Sequence, residues 1–294
     1  MTLAGRLHLV MLVSALASCT PSPPAVAANE TPLLKGIDHF FAASADPEPL
    51  YRFFRDSLQW PEVYPFRNYG DFASGVVSAG NVLFEVVTWK VPAGETLPTE
   101  LKGIAFEPGG DIPATLATLR ERGVPYQKPD SVMFTNDSGV RVLAYVNTGL
   151  DGPGGLPPTS AAIFINDNLK HTSAPASRKT GTEELERRNG GPLGALAVVE
   201  LVIGVNDLDA ALAQWRNVLG SPKQESKGVI TLPTGPAMRF VTAPSGAIIE
   251  MVVRVRSLDR AKSFLAARGW LGSAGGDVLI AAAAVGGLRI RLVE

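Results

Sequence analysis

Thiols and imidazoles, the side chains most often used for nucleophilic, redox or transition-metal chemistry, are few in this chain: one cysteine, Cys19, and three histidines, His8, His39 and His171, in 294 residues. Cys19 closes LeuAlaSerCys at 16–19, after a basic start at Arg6 and an apolar run from Leu7 to Leu16. That order is a secretory signal, and about ten apolar residues are too few to cross a bilayer as a helix. Export is expected. No thiol is then left in the body for a disulfide, a cysteine nucleophile or a Cys-based zinc site. His39 falls in the apolar strand GlyIleAspHisPhePheAla at 36–42, so a serine triad would need a histidine already fixed in a strand. Ser138 in AspSerGly and Ser245 in ProSerGly read as turn residues, and GlyGlyAspIleProAla at 109–114 lacks the Lys and Ser/Thr of a phosphate loop. Phe53, Phe54, Trp60 and Trp215 read as core, whereas Tyr64, Phe66 and Tyr69, in a loop ahead of a strand, are candidates for a pocket rim.

Composition narrows the partners. Lys plus Arg at 27 against Asp plus Glu at 28 gives a formal net charge of -1, without the basic excess that binding a phosphate backbone needs, so no nucleic-acid partner is expected. Beyond residue 18 no second apolar run reaches the roughly 18 residues of a membrane span. At about 150 residues per domain the remaining length suggests two domains. Residues 19–34, rich in Pro, Ala and Ser, read as an extended tether. Residues 166–194 form a second polar stretch, with at most a short helix around Glu183–Arg188. This is the candidate linker, and limited proteolysis near Ser177–Arg188 is expected to separate the two halves.

One pattern recurs four times, and internal repetition constrains a fold more than any single element. The first copy has the strand at 36–42, a helix opened by Asp46 and Pro47 with Leu50, Phe53, Phe54 and Leu58 at helical spacing, and strands at 72–78 and 81–89. The second opens with LysGlyIleAlaPhe at 102–106, continues in a helix after Asp111 that ends at Gly123, and finishes with strands near 131–135 and 140–147. The third starts at 196–205, and Asn206 or Asp207 caps a helix carrying Leu208, Ala211, Leu212, Trp215 and Leu219 before strands near 228–232 and 237–242. The fourth begins at 247–255, has a helix from Ser257 to Arg268, and ends with strands near 277–283 and 287–293. The fold class is α+β, built from four βαβββ-type modules whose sheets pair around a cavity.

These modules resemble the vicinal-oxygen-chelate superfamily, the glyoxalase, bleomycin-resistance and extradiol-dioxygenase group. The resemblance rests on GlyIleAspHis at 36–39 with LeuTyrArgPhePheArgAspSerLeu at 50–58, on PheAlaSerGlyValValSerAlaGlyAsnValLeuPheGlu at 72–85, and on ValGluLeuValIleGlyVal at 199–205 with the helix after it. It implies two glyoxalase-like domains, 35–165 and a degenerate 195–294. LeuAlaSerCys also resembles a bacterial lipobox, which implies cleavage before Cys19 and a diacylglycerol on its thiol. The mature chain would then be lipid-anchored in the cell envelope, facing the periplasm, and Thr20 lacks the acidic character associated with inner-membrane retention.

The superfamily resemblance implies a metal between the first strand and the last strand of a module, positions held here by His39 and Glu85. An imidazole and a carboxylate suit Zn, Fe, Mn, Ni or Co, but a full site takes three or four protein ligands. The second module offers Phe106 and Ala144 or Tyr145 at the corresponding places, of which only Tyr145 carries a donor. In the third, Glu200 takes the place of the histidine, with Arg239 and Phe240 where a carboxylate would stand; Glu250, in the fourth, fits only with a shifted register. No histidine follows His171, which removes the ligands for extradiol iron chemistry. Two readings draw on particular residues, and a third, a structural domain pair in an envelope assembly, has no positive sign in the sequence. One is a metal-assisted lyase or isomerase acting on a small oxygen-rich substrate, with His39 and Glu85 as ligands and Tyr145 or Glu200 as catalytic polar partners. The other is a metal-free protein that binds a small molecule, with His39 and Glu85 as neighbouring polar residues of a pocket.

Overall fold

LeuLysGlyIleAspHisPhePheAlaAla alternates poorly but is almost wholly buried, as a central strand covered on both faces must be. In the computed structural model it forms β1 (Leu34–Ala43) and is followed by α1 (Pro47–Arg52), whose last turn continues as a π-helical segment, Phe53–Ser57. Strands β2 (Glu62–Asn68), β3 (Phe72–Ser78) and β4 (Leu83–Trp89) complete the first module. The structure describes residues 32–91, 94–135, 138–152, 156, 162–167, 174–220, 224–226 and 228–294. Cys19, the 1–18 signal and the tether up to residue 31 lie outside them.

The second module is β5 (Glu100–Pro108), α2 (Ile112–Glu121), β6 (Asp130–Thr135), β7 (Arg141–Leu150) and β8 (Ala162–Asp167). A helix between the halves, α3 (Ala174–Arg187), leads to the third module: β9 (Ala195–Val205), α4 (Leu208–Leu219), β10 (Gln224–Ser226), β11 (Val229–Thr231) and β12 (Ala237–Thr242). The fourth is β13 (Ala247–Val255), α5 (Leu258–Ala266), β14 (Leu271–Ala274), β15 (Asp277–Ile280) and β16 (Ile290–Val293). Asp111, Asp207 and Ser257 cap α2, α4 and α5 by accepting from the backbone N–H groups of Ala114, Ala210 and Arg260. Asp46 makes no such side-chain bond, and α1 starts on Pro47 instead.

Each pair of modules makes one eight-stranded sheet, in the orders β2-β3-β4-β1-β5-β8-β7-β6 and β10-β11-β12-β9-β13-β16-β15-β14. The last strand of each module returns parallel to the first, and the two first strands pair antiparallel at the centre of the sheet. Phe40 and Phe84 stack at 4.9 Å, and Phe54 meets Phe84 edge-on at 4.8 Å, so this face of the first sheet is the one that packs against α1.

Three expectations are corrected. Tyr64 and Phe66 lie in edge strand β2, not in a loop; Pro65 is tolerated there because an edge strand leaves one row of N–H groups unpaired. The last strand of the second module is β8, so β7 with Ala144 and Tyr145 is its penultimate one. The stretch 166–194 begins inside β8 and contains the 14-residue α3. Thr31–Glu294 make one compact unit, in which Asn81 binds both backbone groups of Val198 and the Phe106 and Trp215 rings lie 5.9 Å apart.

Candidate functional site

The pairing of β1 with β5 slips by one residue between Ile37 and His39: Ile37 faces Phe106, His39 faces Ala105, and Asp38 is the extra residue. Such a bulge re-aims a side chain. Here it brings the Asp38 carboxylate to accept from His39 Nδ1 at 2.7 Å. An ionised carboxylate only accepts, so Nδ1 carries the hydrogen and Nε2 is left to work. Burial opposes the imidazolium, but the hydrogen bond and charge of Asp38 and the charge of Glu85 outweigh burial and the opposing Arg178, so His39 titrates above its ordinary value.

Glu85 stands beside Phe41 in the parallel β1–β4 register, on the face shared by His39 and Phe41, and its Oε2 lies 3.8 Å from His39 Nε2. Phe41 leads across the sheet to Phe164, whose ring is 6.3 Å away. On β7, Tyr145 is pushed up to about 12, by burial first and then by the charges of Glu85, Tyr69 and Asp130. It therefore stays protonated at neutral pH.

Behind His39 the charges are tied down. Arg178 of α3 meets Asp38 Oδ1 at 3.1 Å and Glu107 Oε2 at 2.7 Å, and Lys35 holds the other oxygen of Glu107 at 2.9 Å. The helix can reach because Gly181 lies against Ser78, where even a Cβ would come within 2.5 Å of the Ser78 Cβ. Thr182 anchors the same turn by donating to the Gly80 carbonyl.

The first sheet thus groups His39, Glu85 and Tyr145. Of the rim candidates, Tyr69 stacks on Phe72 at 4.8 Å within electrostatic range of Tyr145. Tyr64 is 38% exposed, and Phe66 packs on Tyr51 with ring centres 5.8 Å apart. Glu200 stands on the second sheet. It is two residues before Val202, the register partner of Arg239, as His39 is two before Phe41, the partner of Glu85. Arg239 grips it through Nε at 2.8 Å and through Nη2. Glu250 is likewise held by Arg289 and by Arg291, the latter at 2.7 Å. Both carboxylates are committed to arginines.

A divalent metal fits this donor set poorly. Metal bonds of about 2.0–2.2 Å at a tetrahedral angle put two donors about 3.4 Å apart, close to the 3.8 Å of His39 and Glu85. Among the described residues a third donor is missing: Ala105 and Phe164 occupy the neighbouring strands, Asp38 is taken by His39 and Arg178, and no group of three His, Cys, Asp or Glu able to hold a metal occurs.

Sequence reasoning passed over Asp38, Arg178, Asn147 and Asn166. The signal for Asp38 and Asn166 was a polar residue inside an apolar strand, a placement that asks for a partner.

No family model matches the chain, and no curated protein matches it. Among solved structures it is similar to the Mn(II)-bound glyoxalase from Novosphingobium aromaticivorans, at 11% identity and a TM-score of 0.55 over 89% of this chain and 82% of that one. The 2,3-dioxygenase LapB from Pseudomonas sp. KL28 superposes at 12% identity and 0.54 over 90% and 93%. A hypothetical protein from Staphylococcus aureus superposes at 11% and 0.56 over 87% and 98%. The chain has the vicinal-oxygen-chelate fold. At these identities the likeness carries the fold alone.

Proposed function

We propose that the face of the first sheet bearing His39 and Glu85 binds a small oxygen-rich molecule and that His39 exchanges a proton with it, the chemistry of a lyase or isomerase. The observation that carries the reading is the Asp38–His39 pair, with Nε2 directed toward Glu85 across 3.8 Å. A base of this kind removes a proton beside a carbonyl, and a protonated phenol such as Tyr145 stabilises the oxyanion that develops. The alternative, a metal-free binding protein, draws on the same geometry, with His39 and Glu85 as polar residues of the binding face.

Deuterium uptake from solvent into dihydroxyacetone, followed by NMR with the purified chain and its His39→Ala variant, separates the two. Exchange above the buffer rate that His39→Ala abolishes supports the proton-exchanging enzyme, and no exchange by the wild type with small-molecule binding retained supports the binding protein. Near-stoichiometric binding of Mn(II), Zn(II), Ni(II) or Co(II) that His39→Ala abolishes makes His39 a ligand instead and overturns its role as the base.

We infer further that the chain is exported and anchored through Cys19, on the strength of the signal-like order of residues 1–19. Cys19→Ser is expected to move the protein from the membrane fraction to the soluble one; unchanged partitioning sinks the idea.

A further inference from the structure

Beyond Tyr145 the same face ends in two amides. Asn147 on β7 and Asn166 on β8 are register partners, and each buries its Oδ1 without a hydrogen-bond donor. Cross-strand partners share a face, and alternation puts Asn147 with Tyr145 and Asn166 with Phe164, the ring that meets Phe41. Asn166 is only 6% exposed. A buried acceptor left unpaired is costly, and in a native structure it takes its donor from water, an ion or a bound molecule. Asp130 lies opposite Asn147 on β6, and the charges of Glu85 and Asp130 both act on Tyr145. Two acceptors in a negative field, beside aromatic rings, suit a donor that is also a cation.

We propose that Asn147 and Asn166 form the recognition site for the amino group of a small amine with an apolar or aromatic body. The inference rests on the reading of this face as a small-molecule site and adds a ligand class to it: the ammonium donates to the two Asn oxygens, and the body lies along Phe41 and Phe164. Carboxylates are disfavoured by Glu85 and Asp130.

Calorimetric titration of the full chain with phenethylamine, phenethyl alcohol and phenylacetate tests this. The amine is expected to bind most tightly and the acid least. Asn166→Leu and Asn147→Leu are each expected to weaken the amine about ten- to a hundredfold, the loss of one charge-assisted hydrogen bond. Asn166→Leu should melt no lower than wild type, because it removes an orphaned acceptor. Asn166→Asp should tighten the amine, a gain that a purely structural amide pair does not give. The proposal falls if the amine binds no better than the alcohol or the acid, if it does not bind, or if both Leu variants bind it as wild type does. Alcohol binding that His39→Ala abolishes, without any advantage for the amine, leaves the function proposed above standing and removes only the amino subsite.

Discussion

His39 owes its chemistry to its neighbour in sequence. A histidine packed into a sheet would ordinarily be driven neutral; the Asp38 carboxylate at 2.7 Å reverses that and fixes which nitrogen is presented. Replacing Asp38 with Asn keeps the shape and removes the charge, so burial and Arg178 then act against the imidazolium with only Glu85 opposing. The His39 pKa is expected to fall below that of the wild type, read from the imidazole proton shifts in an NMR titration; an unchanged value refutes the assignment. The sign for stability follows. A folded-state value raised above the unfolded value of about 6.5 adds stability that is complete below that value and is lost as pH rises through the folded one. His39→Gln should remove that slope from a plot of unfolding free energy against pH, and a slope that persists in the variant assigns it to other groups.

Elements with long apolar runs, such as β1, β9 and β13, were legible in the sequence, and with them the four-fold repetition. The elements that escaped lack such runs or gain their stability from distant partners. Strand β2 is an exposed edge with Pro65 in it, so neither alternation nor composition marks it. Strand β8 pairs with β5, nearly sixty positions earlier in the chain, and nothing local announces a parallel partner. The polar helix α3 is held by Arg178 bonding across to β1 and β5 and by Gly181 lying flat on β3. His39 and Glu85 were singled out because each sits in a readable strand at a position that the family resemblance marks, whereas Asp38 needed the bulge and Arg178 needed the helix. Gly181→Val tests the seat of α3. With a first side-chain atom meeting Ser78 at 2.5 Å, the helix must lift, at a cost of about 1–3 kcal/mol for overpacking. A lower melting temperature is expected, together with loss of the Arg178 contact to Asp38, visible as a shift in the His39 titration. A variant with wild-type melting and titration means that α3 does not hold the site.

Two sheets with the same strand order now carry different chemistry. The first sets an imidazole and a carboxylate 3.8 Å apart without a hydrogen bond between them; the second has the Glu200–Arg239 ion pair at the corresponding places, which satisfies itself. The second sheet nevertheless supports the first. Trp215 of α4 is wholly buried between Phe240 of its own sheet, at 5.7 Å, and Phe106 of the other, at 5.9 Å, while Phe53 meets Trp270 at 5.1 Å. Halves that share aromatic core lose it together. Thermal or denaturant unfolding of the 31–294 region is therefore expected to be one transition, with far-UV circular dichroism and tryptophan fluorescence coinciding. Trp215→Ala, a substitution that typically costs about 3–5 kcal/mol, should lower the midpoint for both halves at once. Phe106 links Trp215 directly to β5, so the loss is expected to reach the first sheet and weaken small-molecule binding there at temperatures where the wild type is unaffected. Two separated transitions, with only the later half of the chain destabilised in Trp215→Ala, would show instead that the sheets fold independently and that the site needs only its own half.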